Sequence, residues 1–296
     1  MPEAKLEWAI IKKNVLSHSL REWHVLSKHA PPSLCLFGTK MKKYWLFFKN
    51  AAESELRAPW MIIMRLSFLT ALVFVTAQLW TAIGHRGFEP VNIIWYLVMN
   101  EMLIFSHDSK MQKRVFHDIR SGNIGYSLIR PFSYLSQCLS ESMGMFFARI
   151  PFLMLGGGII AYLIGGGLPA TPQGIPVVFA LMILAGIFYN TCVIFIGMLG
   201  LYMQNTESVQ LIFSKLMMLL GGLFFPLTIY PEWMQSLAAW TPFPWALYEV
   251  SRLVYEFSWA IAFNTFIHLF MWTAAALIMT TAIFAKLLKK VSVNGG

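Results

Sequence analysis

Charge is what this sequence has least of. Only 12% of its 296 residues are Asp, Glu, Lys or Arg, while 57% are hydrophobic, and the mean hydropathy is +0.59. Soluble domains keep about a quarter of their residues charged, so a large water-soluble core is excluded and a bilayer is the solvent that fits. Cysteine is scarce too. Cys35, Cys138 and Cys192 are too few and too far apart for a disulfide framework or a zinc site, and read as buried, inert thiols. No G-x-x-x-x-G-K-[ST] phosphate loop occurs, so the chain does not bind ATP by that route. The runs Gly156-Gly157-Gly158 and Gly165-Gly166-Gly167 lack the lysine and lie within or beside an apolar stretch. There glycine lets helices approach closely, a hinge being the sharper alternative. Zinc-protease, nucleophile-elbow and metal-spaced patterns are missing as well. The pairs His107-Asp108 and His117-Asp118 are better explained as a solvated polar face than as an active site. The opening MPEAKLEWAIIKKN has no apolar run long enough for a cleavable leader, and none is expected.

What is present is apolar length. A bilayer core takes roughly 20 apolar residues per helix, and six stretches approach or meet that: about 59–83, 91–107, 139–164, 175–202, 209–229 and 260–285. The second is short and the third begins with polar residues. Aromatics reach 15%, with 11 Trp and 24 Phe, as interfacial belts require. The fold expected is therefore an all-α membrane protein with six transmembrane helices. Between those spans, eighteen Lys and Arg fall on the side holding both termini and only Arg86 and Arg252 on the other. Positive charge stays inside, so both termini are expected in the cytoplasm and the protein in the cell (inner or plasma) membrane. The net charge of +9 is thereby assigned to membrane orientation rather than to nucleic acid.

Residues 41–58 place Met41, Trp45, Phe48, Ala52 and Leu56 at helical spacing, with Lys42, Lys49 and Glu53 elsewhere on the wheel. That pattern predicts an amphipathic helix lying in the cytoplasmic interface. Residues 1–40 form an N-terminal cytoplasmic extension of open role, broken at Pro31-Pro32, and 291–296 a cytoplasmic tail. The six-span domain occupies 59–290.

Residues 108–138 are too polar to span and too regular to be a linker. Val115, Phe116 and Ile119 line one side of a short helix that stops at Ser121-Gly122, and Arg130-Pro131 ends whatever follows. A stiff helix–turn–helix element projecting into the cytosol is expected. The run IRSGNIGYSLIRPFSYL from Ile119 to Leu135 resembles the signature of the type-2 ABC exporter permeases, the membrane subunits of exporters whose ATPase is a separate chain. Arg120, Gly122, Ile124, Leu128, Arg130 and Pro131 occupy the positions of an R-x-G-x-[LI]-x-x-x-L-x-[RK]-P pattern. The resemblance implies that Asp118 to Pro131 is a coupling helix region that docks in a groove of the ATP-binding subunit. A second run, Tyr230 to Phe257 within a 230–258 segment, is similar to the family's re-entrant extracytoplasmic helices. Pro231, Trp233, Leu237, Pro242, Phe243 and Tyr248 carry that likeness and imply an exit region. The resemblance further implies an ABC ATP-binding partner, a second permease subunit (identical or homologous), a translocation path at the dimer interface, no cofactor on this chain, and ATP and Mg on the partner. It leaves the substrate open among glycans, lipids, peptides and drugs.

Ionisable residues inside spans are functional suspects. Arg65 and Glu101 lie at similar depth on consecutive helices, and an intramembrane pair between them is expected. Arg65, Arg149 and Lys215 are otherwise read as snorkelling, and His268 as packed. The alternative function is a secondary transporter or channel not driven by ATP; a membrane enzyme is disfavoured by the missing catalytic constellation.

Overall fold

The structure, a computed structural model, describes residues 32–82, 89–107, 110–125 and 133–294, with side chains from 42 to 288 in those ranges. The chain divides into two compact units, Met1–Leu46 and Phe47–Gly296. Of the first unit only the beginning of helix α1 (Pro32–Leu56) is described. The helix expected from 41 thus starts earlier, at a proline whose missing N–H costs nothing in a first turn. Trp45 and Leu46 are exposed on it.

The second unit continues with α2 (Pro59–Ala82), α3 (Pro90–Ser106), α4 (Lys110–Arg120), α5 (Tyr134–Gly165), α6 (Ile175–Met198), α7 (Glu207–Leu220), the short helices α8 (Glu232–Ala239), α9 (Phe243–Ala246) and α10 (Tyr248–Arg252), and α11 (Trp259–Asn294). No strand occurs among the described residues. Proline opens α2 and α3, as it opens α1. The end of α5 is equally chemical: Gly166 takes φ 77° and donates its N–H to the Tyr162 carbonyl, a conformation glycine adopts without a Cβ clash.

Among the described residues four helices are long and apolar enough to cross a bilayer: Pro59–Ala82, Tyr134–Gly165, Pro172–Leu201 and Trp259–Leu288. The expected second and fifth spans form shorter helices. α3 has 17 residues, about 25 Å of rise, and α7 has 14, about 21 Å, against roughly 30 Å of hydrocarbon. The expected fifth span, 209–229, is cut by its own glycines. Gly221 ends α7, Gly222 sits at φ 72°, and the Leu223 N–H returns to the Met218 carbonyl, closing a glycine cap. Pro226 then precedes a short 3-10 turn at Leu227–Ile229.

α3 is the axis of the unit. Leu97, Val98, Met102 and Leu103 are wholly or almost wholly buried, and its widest contact is with α5, matched only by that between α6 and α11. The close-approach reading of the glycines holds on α5: a Cβ at Gly156 would press on the Leu66 side chain and one at Gly157 on Met102. At Gly144 the neighbour is backbone, the Phe48 carbonyl, which cannot swing aside. Gly144→Val is expected to unseat residues 47–56 from α5 and lower the melting temperature of the purified protein, at an overpacking cost of about 1–3 kcal/mol.

Candidate functional site

α4 has one buried face and one basic, exposed face. Met111, Gln112 and Val115 are buried, whereas Lys110, Lys113, Arg114, His117 and Arg120 are exposed at positions 0, 3, 4, 7 and 10 of one helical face. Its inner face lies against the end of α6, where glycine makes room. A Cβ at Gly197 would stand 2.8 Å from the Gln112 carbonyl oxygen, and one at Gly200 would strike the Phe116 ring.

Polar contacts tie α4 down on two sides. Towards α5, Arg114 pairs with Glu141, and the Tyr134 hydroxyl donates to Asp118 Oδ2 at 2.7 Å. Towards the segment between α6 and α7, Gln112 Nε2 donates to Thr206 Oγ1, both groups buried. Arg120 donates to the Met203 carbonyl at 3.1 Å, and Lys113 Nζ lies 2.9 Å from Glu207. That last pair is exposed and contributes little on its own. The helix ends as the sequence indicates: the Ser121 N–H returns to His117, the Gly122 N–H to Ile119, and Gly122 takes φ 74°.

Of the expected coupling residues, Asp118, Ile119, Arg120, Gly122 and Ile124 therefore lie on or directly after one helix. Ile119 packs against the core and Ile124 is buried within it. Leu128, Arg130 and Pro131 fall outside the described residues. Sequence reasoning missed the exposed basic face and the Gln112–Thr206 link. The repeat of Lys110, Lys113, Arg114, His117 and Arg120 was a signal for the first; the second joins residues 94 positions apart and had none.

Arginines hold the same end of α3. Arg149 Nη1 donates to the His107 carbonyl at 3.0 Å, while its Nε and Nη2 reach the two oxygens of Glu55 at 2.7 and 2.8 Å. Both partners are buried, the side chains 3% and 6% exposed. Arg65 Nη1 donates to the Phe105 carbonyl at 2.7 Å. The last carbonyls of a helix lack internal partners and carry its negative pole, so two guanidiniums converge there. This corrects two expectations. Arg149 is buried and paired, not snorkelling. Arg65 and Glu101 form no ion pair with each other: Arg65 reaches one turn past Glu101 to the helix end, and Glu101 Oε1 is buried with no hydrogen-bond partner among the described residues.

Along the middle of α3, from Tyr96 to Asn100, a polar seam secures the break after α7. Tyr96 and Asn100 both donate to the Gly222 carbonyl, Trp80 Nε1 donates to that of Phe224 at 3.3 Å, and Ser251 Oγ donates to Asn100 Oδ1 at 2.8 Å. Non-helical backbone at membrane depth persists only where protein or water satisfies it. Asn100→Leu is expected to lower thermal stability by about 1–3 kcal/mol, because it strips donors and an acceptor from buried partners; a melting curve indistinguishable from wild type contradicts this.

The expected exit residues do not share one environment. Pro231 and Pro242 precede α8 and α9, and Tyr248 is buried beside Tyr96. Trp233 and Leu237 are exposed, and Trp240 is 84% exposed. Phe243 faces a cavity of about 350 Å³ between α6, α7 and α11. The His268 ring stacks on Trp245 at 3.9 Å, as the packed reading requires. Among the described residues no cluster of His, Cys, Asp or Glu is placed to hold a metal ion.

A search of curated proteins gives no match. The model of a family described as ABC-2 family transporter protein matches residues 59–295, a span covering every helix from α2 onward. With so much of its length matched, the chain belongs to the ABC-2 transporter family, as a multi-pass membrane protein of permease type.

Proposed function

We propose that the chain is the membrane-spanning permease subunit of an ATP-driven ABC exporter. In this reading α3 and α7 cross the bilayer with the four longer helices. Both termini then lie in the cytoplasm, and α1 rests in the cytoplasmic interface. The family implies an ATP-binding partner; α4 with residues 121–131 is its docking element, and a second permease, identical or homologous, completes the path. The exposed tryptophans of α8 and its flank, Trp233 and Trp240, suit the opposite interface near the exit. ATP and Mg stay on the partner, and export rather than import follows the resemblance.

The observation that carries the reading is the bracing of α4. A helix that presents a basic face outward and is bonded to α5 on one side and to the approach to α7 on the other passes a partner's movement into the bundle. Vectorial cysteine labelling tests the orientation this requires. Ser121→Cys is expected to react with an impermeant maleimide only after cells are opened, and Trp240→Cys in intact cells. Labelling of Ser121→Cys from outside contradicts the topology.

One observation favours the secondary-transporter alternative: the buried, unpaired Glu101 carboxyl oxygen has the character of a proton or cation site. That alternative requires transport that follows an ion gradient and survives removal of ATP.

A further inference from the structure

We propose that the polar cavity at the base of α7 binds an anionic polyol, a phosphate carried on a hydroxyl-bearing body, and is where substrate is loaded from the cytoplasm. The loading role rests on the permease reading above; the binding itself does not. The cavity measures about 440 Å³ and is walled by Gln112 and Lys113 of α4 and by Ser208, Gln210 and Ser214 of α7. Gln210 is only 7% exposed. Its Nε2 is 3.4 Å from Ser214 Oγ, while its Oε1 has no hydrogen-bond partner among the described residues. A buried acceptor left unpaired is costly, and a ligand hydroxyl supplies the missing donor. Amide and hydroxyl side chains around one hollow are what a polyol needs.

The anionic half comes from the neighbouring turn. Lys215 is exposed and sits four residues past Leu211 and seven past Ser208, on the face that lines the cavity. Among the described residues it forms no ion pair, whereas Lys113 is matched by Glu207 at 2.9 Å. The opposite face of α7, with Val209, Ile212, Phe213 and Leu216, borders the wholly apolar cavity shared with α6 and α11. α7 is thus amphipathic inside a segment read as crossing the bilayer. An ammonium turned to lipid is expensive, so this polar face borders water. The uncompensated charge along it is positive.

The same chemistry reaches the cavity from two sources, a soluble sugar phosphate or a glycerophospholipid headgroup. The test is equilibrium dialysis of radiolabelled glucose 6-phosphate against the full chain purified in detergent. Saturable binding at one site per chain is expected, weakened at least tenfold in Lys215→Ala and in Gln210→Leu and unchanged in Lys286→Ala. Lys215→Ala alters an exposed side chain, so an unchanged melting temperature separates lost binding from lost folding. Absence of saturable binding, or equal binding by Lys215→Ala, overturns the proposal. Competition by inorganic phosphate as strong as that by the unlabelled sugar phosphate overturns the polyol assignment. Displacement by phosphatidylinositol but not phosphatidylcholine in nanodiscs supports the site with a lipid headgroup as its source; no displacement by either supports it with a soluble source. No ATPase is present in the assay, so its failure leaves the permease reading standing.

Discussion

Arg149→Ala is expected to be the most damaging single substitution described, lowering stability by about 3–5 kcal/mol because it strands a buried carboxylate. Glu55 loses both hydrogen bonds from the guanidinium, and the His107 carbonyl loses its donor. Glu55→Ala strands the arginine instead, but Arg149 keeps its bond to the α3 terminus, so a smaller loss is expected. Replacing both at once, with Glu55→Leu and Arg149→Met, removes the two charges together and is expected to recover most of the loss. Thermal unfolding in detergent measures all three variants. A double variant no more stable than Arg149→Ala contradicts the pairing. The pH dependence has a defined sign. Burial pushes the Glu55 carboxyl up, but the Arg149 hydrogen bonds and charge outweigh it and leave it below its ordinary value. A carboxylate depressed in the folded state stabilises above the unfolded-state value, near 4.3 for glutamate, and that stability is lost as pH falls through the folded one. The melting temperature of wild type is therefore expected to fall more steeply under acid than that of the double variant.

Gln112→Leu is expected to uncouple rather than unfold. The Gln112–Thr206 bond joins α4 to the approach to α7, and leucine preserves the bulk while removing the donor. In proteoliposomes holding the permease with its ATPase, ATP turnover is expected to persist while transport per ATP falls about tenfold, the equivalent of ~1.4 kcal/mol. Thr206→Val is expected to do the same, and the two together no worse than either, because they act on one bond. If ATP turnover and transport fall in parallel, the bond is structural and movement does not pass through it.

Apolar length located the four long candidate spans because composition and hydropathy act over twenty residues. Proline at 59 and 90 and glycine at 122 and 166 marked helix ends by local chemistry. The helix of the expected fifth span stops short for an equally local reason. Hydropathy counts Gly221 and Gly222 as mildly apolar, while their backbone freedom ends the helix. Hydropathy did mark α3, a helix of only 17 residues whose apolar side chains face protein on nearly every side. The expected partner of Arg65 was misassigned by pairing charges at equal depth. Guanidiniums also seek the bare carbonyls of a helix end, and sequence spacing within one helix does not reveal that end's neighbours. Glu55 and Arg149 are 94 residues apart, and only the packing of α1 on α5, made close by Gly144, brings them together. The end of α4 was legible through Ser121 and Gly122, yet the contacts that brace the helix come from α5 and from the approach to α7, both remote in sequence.

The most direct test of the exporter reading is affinity purification of the tagged full chain in mild detergent, with mass spectrometry and an ATPase assay on the eluate. Wild type is to be compared with a variant carrying Arg120→Ala, Leu128→Ala and Arg130→Glu. The expected result is an ABC ATP-binding subunit that co-purifies with wild type, hydrolyses ATP and is lost from the variant, with any second permease identified in the same eluate. Recovery of a folded chain with no ATPase, or an ATPase retained equally by the variant, contradicts docking through α4 and the residues that follow it.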